Sequence, residues 1–445
     1  MNRISLSNES LSPREGGYSD QPKEPKRPYL DSLRGLAAIV VVSTHFLEAF
    51  YPHAVFGGKY PQQSSLESLF HYPPLSLAVA GNFAVCLFFV LSGFVLTNGH
   101  MQPQPGSKLF KAMIKRPIRL GGMVAFSVFA GFVLLTCGCF CNSKVSELTG
   151  SQPWFSSFWS EPVSLSQFVN DFAFRLFSTS ESYNPPMWTI LKELKGSYIV
   201  FLYLLSRTHL NAIQRATVLA ILFLFMRNSL YVGFVIGLIF AELDRLPIID
   251  RVRSFPKCML GTLLFGLLVG MQPYYLDSSP TSSGILSVLS RFGTGGFSMT
   301  GAILVFGSVL WSAKIQHGLN HRTLRYLGSV SYAMYALHFL LLGSLTSWIY
   351  LNLVGVLGHF LAALFAVLAT LPVLAVLSHF VTKTIDKRSN ALSNWVANKL
   401  MPDERILVRE NEFELNQDGI ASGCIDVTRS NKPGSSTYRA IDGAC

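Results

Sequence analysis

The chain has 445 residues, half of them apolar and only 14% charged. A soluble globular domain carries about a quarter charged residues, so composition argues against a soluble fold. The formal charge of +11 sits mainly between apolar segments, where Lys and Arg orient a membrane protein, so nucleic-acid binding is the weaker reading.

Residues 1–30 are polar, contain proline and lack an apolar leader core, so no cleavable signal peptide is expected. From there, apolar runs between charged or Pro/Gly-rich breaks predict spans near 33–51, 77–98, 117–139, 185–206, 212–227, 229–243, 258–272, 295–313, 326–350 and 353–381. The sixth and seventh are short, and Arg227 and Asn228 alone separate the fifth from the sixth. Residues 383–445 are polar with few aromatics and read as a partly disordered tail. The expectation is an all-α transmembrane bundle of about ten spans at 31–382, between a polar tail at 1–30 and another at 383–445.

Orientation follows from the basic residues. With the N-terminus in the cytosol, the internal loops 99–119, 207–216, 244–257 and 314–325 hold most of the Lys and Arg between spans. The external loops hold Lys59, Lys144, Arg175, Arg227 and Arg291. An even number of spans with both termini cytosolic preserves that asymmetry. The external segment 140–184 carries Trp154, Phe155, Phe158 and Trp159. It reads as an ordered loop at the membrane interface, either covering a site or forming an ordinary aromatic belt. Seven Cys, an odd number scattered through the chain, make no secreted disulfide framework. The Cys137, Cys139, Cys141 run reads as small apolar residues rather than metal ligands.

Ionisable side chains inside spans are costly and point to function. Arg34 and His45 are eleven residues apart in the first span, almost three full turns, which places them on one face and roughly 16 Å apart. Counting rise from the span ends puts His45, Glu193 and His338 at a shared depth, about 18 Å from the cytosolic side. A polar chamber is expected there. An imidazole oriented by a carboxylate is a suitable general base, because its proton affinity is matched to neutral pH and its partner fixes the tautomer. For His338 a structural hydrogen bond is an equal reading. The loop before the third span carries Lys108, Lys111, Lys115, Arg116 and Arg119. Arg116 and Arg119 are suited to clamp phosphates, while the lysines are explained by topology. No phosphate-binding glycine loop, zinc-spaced His/Cys set or nucleophile elbow is present, so no metal site is expected.

Five stretches, in order, carry a resemblance: Tyr29-Leu-Asp-Ser-Leu-Arg-Gly-Leu-Ala-Ala followed by His45; Phe88-Phe-Val-Leu-Ser-Gly-Phe-Val-Leu; Lys115-Arg-Pro-Ile-Arg-Leu; Pro186-Met-Trp-Thr-Ile-Leu-Lys-Glu-Leu-Lys-Gly-Ser; and Leu327-Gly-Ser-Val-Ser-Tyr-Ala-Met-Tyr-Ala-Leu-His. Over residues 28–382 the chain resembles the acyltransferase-3 family of multi-span membrane enzymes, particularly its fungal members. The resemblance implies transfer of an acyl group, often acetyl from acetyl-CoA, to a hydroxyl of a sugar, lipid or small metabolite. It implies that His45 is the essential histidine, Arg34 the arginine before it, Arg116 and Arg119 the pair associated with the CoA donor, and Glu193 the glutamate after the tryptophan. Lys192 departs from the family pattern, where an apolar residue is usual.

The expected assignment makes His45 the base and Glu193 its orienter or a polar-site residue. Arg34 contacts donor or developing charge, Arg116 and Arg119 contact CoA phosphates, and Ser92 and Tyr332 either line the path or pack. Acyl-CoA acts as donor substrate and no cofactor is held. The favoured acceptor is a small, fairly apolar metabolite such as a terpenoid or polyketide, at an endomembrane such as the endoplasmic reticulum. The alternatives are O-acetylation of a glycan or lipid and, in another class, a proton-coupled transporter.

Overall fold

A computed structural model describes residues 27–102, 106–272 and 296–402. Arg291, most of the 1–30 tail and the 403–445 part of the C-terminal tail lie outside the described residues. Those described form helices and no strand. In chain order the main ones are α1 (Pro28–Phe50), α2 (Gly81–His100), α3 (Gly106–Thr136), α4 (Trp188–Arg207), α5 (Ala212–Met226), α6 (Val232–Leu243), α7 (Pro256–Gly270), α8 (Gly296–Trp311), α9 (Arg322–Leu341), α10 (Ser347–Val381) and α11 (Lys387–Leu400).

By length and composition α1, α2, α3 and the run Arg322–Leu400 can each cross a bilayer. The shorter α5, α6 and α7 have 15, 12 and 15 residues, below the roughly 20 that a full span takes. The expected break between the ninth and tenth spans falls later than the sequence suggested. It lies at Gly358, whose φ of 72° and ψ of 171° belong to a region that residues with a Cβ avoid.

Packing of α1 on α9 sets the register of the interior. A Cβ on Gly35 would meet the Gly328 nitrogen at 2.6 Å, and one on Gly328 would run into the Asp31 carbonyl oxygen. Small residues let these backbones touch, the usual route to tight helix association in lipid. The helices run parallel, so the ten-residue step from Gly35 to His45 matches that from Gly328 to His338, and the two imidazoles meet.

Pro117 lies inside α3, where it cannot donate to the Met113 carbonyl one turn earlier. The Tyr198 hydroxyl donates to that carbonyl instead, at 3.4 Å. Within the stretch 383–445, expected to be a partly disordered polar tail, residues 387–400 form α11 against α3. The Ser389 hydroxyl donates to the carbonyls of Ile118 (3.1 Å) and Arg119 (3.3 Å). The buried stripe of α11 is Ser389, Ser393 and Ala397. These residues are too small and polar to signal an amphipathic helix, yet small enough to sit close to a neighbour.

Candidate active site

His45 and His338 form one hydrogen-bonded pair, with His45 Nδ1 2.9 Å from His338 Nε2. His338 is wholly buried. Its Nδ1 lies 2.8 Å from the Tyr335 carbonyl and 3.3 Å from that of Met334. A carbonyl only accepts, so His338 Nδ1 carries the hydrogen and its Nε2 offers a lone pair. His45 Nδ1 is then the donor to that lone pair, and His45 Nε2 is left as a free acceptor. A helix carbonyl thus fixes the tautomer of a proton-accepting nitrogen through an intermediate imidazole. Glu48, one turn further along α1, places its Oε2 3.9 Å from that nitrogen.

An aromatic cover lies over the pair. Trp154 stacks on the His45 ring with centroids 6.4 Å apart, and Phe339 meets it edge-on at 5.1 Å. Phe158 packs on Phe339 at 5.2 Å, and Phe155 is fully buried. The loop that supplies this cover is tied down internally. Asn142 Nδ2 donates to the carbonyls of Phe155 (2.7 Å) and Phe158 (2.9 Å), and Trp159 Nε1 donates to the Tyr183 carbonyl (2.9 Å). Cys141 N–H reaches the Gly343 carbonyl at 2.9 Å.

A cavity of about 420 Å³ lies toward the start of α1, lined by Arg34, Arg116, Arg119, Glu193, Tyr332 and Tyr335 among others. Its charges are largely matched. Arg34 pairs with Asp31 at 3.1 Å, and Arg116 with Glu193 at 2.7 Å. Arg116 Nε also donates to the Ser197 hydroxyl (2.9 Å). Among the described residues the Arg119 guanidinium has no hydrogen-bond or ion-pair partner; Asp386 lines the same cavity. Tyr335 is the shared wall. Its ring lines the cavity while its carbonyl holds His338, and its hydroxyl donates to the Pro186 carbonyl at 3.0 Å and meets the Thr189 hydroxyl at 2.9 Å.

A family model described as an acyltransferase domain, that of the acyltransferase-3 family, matches residues 27–379. The chain belongs to the acyltransferase-3 family. It is similar to the acyltransferase clz18 of Cochliobolus lunatus, 23% identical over 409 residues, covering 74% of this chain and 86% of that protein. It is also similar to the O-acetyltransferase PaAT-1 of Phomopsis amygdali, 21% identical over 431 residues and covering 84% and 85% of the two chains. The acyltransferase R4 of a Phoma species is 27% identical over 234 residues, 41% of this chain and 48% of that one. No solved structure matches the chain. The protein is an acyltransferase with several apolar helices able to cross a membrane, acting between an acyl donor and an acceptor.

Within this acyltransferase-3 chain the residues singled out by sequence divide into two groups. His45 and His338 meet, and Arg34, Arg116, Arg119 and Glu193 share the cavity. Glu193 does not orient His45; its Oε1 is taken by Arg116 and, at 3.3 Å, by the Ser92 hydroxyl. The depth count measured rise along each span but not the direction in which a side chain points, and a guanidinium outcompetes a more distant imidazole for a carboxylate. Lys192 does not neutralise Glu193 either, since its ammonium sits over the rings of Trp188 (5.4 Å) and Tyr231 (5.8 Å). Ser92 and Tyr332 both line the cavity, and the Tyr332 hydroxyl donates to the Leu120 carbonyl at 3.0 Å. Sequence reasoning passed over Glu48 and Tyr335; the one available signal for Glu48 was its one-turn spacing from His45.

Proposed function

We propose that this acyltransferase moves an acyl group, acetyl in the favoured case, from acyl-CoA to a hydroxyl of a small, fairly apolar metabolite, with His45 as general base. The observation that carries the reading is the free lone pair on His45 Nε2, fixed by the His338–Tyr335 carbonyl chain. The acceptor hydroxyl gives its proton to that nitrogen as its oxygen attacks the thioester carbonyl. The C–S bond then breaks, and the proton passes to the departing CoA thiolate. Holding both substrates beside the base supplies much of the remaining acceleration.

The donor enters from the cytosol into the arginine-lined cavity, and its thioester extends past Tyr335 toward the imidazole pair. Arg119 is the guanidinium available to a phosphate, while Arg34 and Arg116 are engaged by carboxylates. An apolar acceptor is supported by the aromatic surroundings of His45, which a hydrated glycan would enter only by shedding water. Transfer to oxygen is supported by the Phomopsis relative, an O-acetyltransferase. The resemblance to fungal members favours a terpenoid or polyketide pathway. An even count of about ten spans, both termini cytosolic and an endomembrane such as the endoplasmic reticulum complete the proposal, on the strength of the Lys/Arg distribution.

The test supplies purified protein with labelled acetyl-CoA and a panel of apolar alcohols and glycans. Label in an alcohol, lost in His45→Ala, is the expected result; label confined to glycan rejects the acceptor.

A further inference from the structure

We propose that Glu48 is a positioning residue for this reaction: its carboxylate opposes the proton-accepting nitrogen of His45 and holds the imidazolium that forms when the acceptor hydroxyl is deprotonated. The inference rests on the reading of His45 as base and extends it.

Glu48 Oε2 lies 3.9 Å from His45 Nε2, with its side chain 13% exposed. That oxygen is buried and has no hydrogen-bond partner among the described residues, an arrangement that costs stability and that folded proteins rarely keep without use. The separation is too long for a direct bond in the resting pair. At that separation Glu48 does not occupy the Nε2 lone pair, so it acts on the base without competing with the acceptor for it. The proton balance is unchanged by this role. The acceptor proton goes to Nε2 and then to the CoA thiolate, the ester C–O bond forms as C–S breaks, and Glu48 keeps its own state throughout. A negative charge beside Nε2 favours the transient cation, while His338 governs only the opposite nitrogen.

The test compares full-length Glu48→Gln, Glu48→Asp and His45→Ala with the parent in steady-state transfer, at matched membrane yield. Glu48→Gln is expected to lower kcat about 10- to 100-fold, as loss of a supporting carboxylate does elsewhere, with the donor KM unchanged. Glu48→Asp is expected to recover part of that loss, since it restores the charge. Should Glu48→Gln fail to reach the membrane, Glu48→Ala with added formate replaces it; a rise in kcat with formate supports the proposal and no response overturns it. A Glu48→Gln enzyme within twofold of the parent, or a Glu48→Asp as impaired as Glu48→Gln, overturns it while His45→Ala stays inactive. An active His45→Ala removes the base reading itself, and the proposal with it.

Discussion

Helix α1 carries Arg34 near one end and His45 near the other, and the surroundings of the two are built on opposite principles. Around Arg34 the helices gather ions: Asp31, Arg116, Glu193, Arg119 and Asp386 line one cavity, and two of its three guanidiniums are paired. Around His45 the resting hydrogen-bond chain is an imidazole and a helix carbonyl, with the single Glu48 carboxyl 3.9 Å from the opposite nitrogen, under an aromatic cover. Burying ions is repaid only with well-made partners, whereas a neutral hydrogen-bonded chain crosses an apolar interior at small cost. The open end is therefore suited to anchor a charged donor, and the closed end to keep an imidazole neutral and ready to take a proton.

The sharpest way to break this contrast is to remove the base. His45→Ala should lower transfer by about 1,000-fold while the protein still inserts, because one side chain leaves a helix whose packing on α9 is set ten residues earlier at Gly35. Initial rates on equal amounts of membrane-inserted protein check it. Robust transfer by the variant would falsify the assignment.

His338 comes next. His338→Ala removes the acceptor for His45 Nδ1 and with it the link to the Tyr335 carbonyl, so His45 loses its fixed tautomer. A fall in kcat of about 10- to 100-fold is expected, the scale of losing an orienting partner. His338→Gln can still accept from His45, and should keep more activity than alanine. Equal activity in the two variants would show that bulk rather than hydrogen bonding sets the site.

The two arginines of the third helix test the other half of the comparison. Arg119, which makes no hydrogen bond or ion pair among the described residues, should be the donor contact: Arg119→Ala is expected to raise the acyl-CoA KM about tenfold, near 1.4 kcal/mol, with kcat little changed. Arg116 should behave as a structural ion. Removing it strands Glu193 in a partly buried site, a class of change that costs about 3 kcal/mol. Arg116→Ala should therefore show lower thermal stability and yield before any specific change in donor KM. The reverse pattern, a stable Arg116→Ala with weakened donor binding, would make Arg116 the phosphate contact.

Much of this arrangement was legible in the chain. The long spans, the Arg34–His45 spacing and the aromatic loop follow from residue periodicity, because lipid forces every apolar run into a helix. What periodicity could not provide was rotation about each helix axis. Glu193 and His45 sit at comparable counted depth, but which neighbour a carboxylate faces depends on how α3 and α4 pack, and Arg116 claims it. The contact of His45 with His338 depends on parallel packing at Gly35 and Gly328. Two isolated glycines in apolar runs are not distinguishable in sequence from the many others. Helix α11 was hidden for a different reason: its contact face is made of serines and alanine, and no hydrophobic stripe announces it.

The smallest expected effect lies in the cover. Trp154 is partly buried, stacks on the His45 ring and also meets Phe339 edge-on at 6.0 Å, while the loop that presents it is held by Asn142 and Trp159 rather than by the indole itself. Trp154→Ala should leave the loop in place and open a gap beside the base. Two consequences follow from that gap. An apolar acceptor loses contact surface, so its KM should rise about three- to tenfold, the scale of a partly buried aromatic's transfer energy. Water gains access to Nε2, so hydrolysis of acyl-CoA without acceptor should increase relative to transfer. The donor KM should not move, because the arginine-lined cavity lies beyond the Tyr335 wall. Trp154→Phe keeps an aromatic face and should sit close to the parent. Measuring transfer and acceptor-free hydrolysis on the same preparations decides the matter: a raised donor KM with an unchanged acceptor KM would place the loop over the donor instead, and the division of α1 into a donor end and an acceptor end would have to be redrawn.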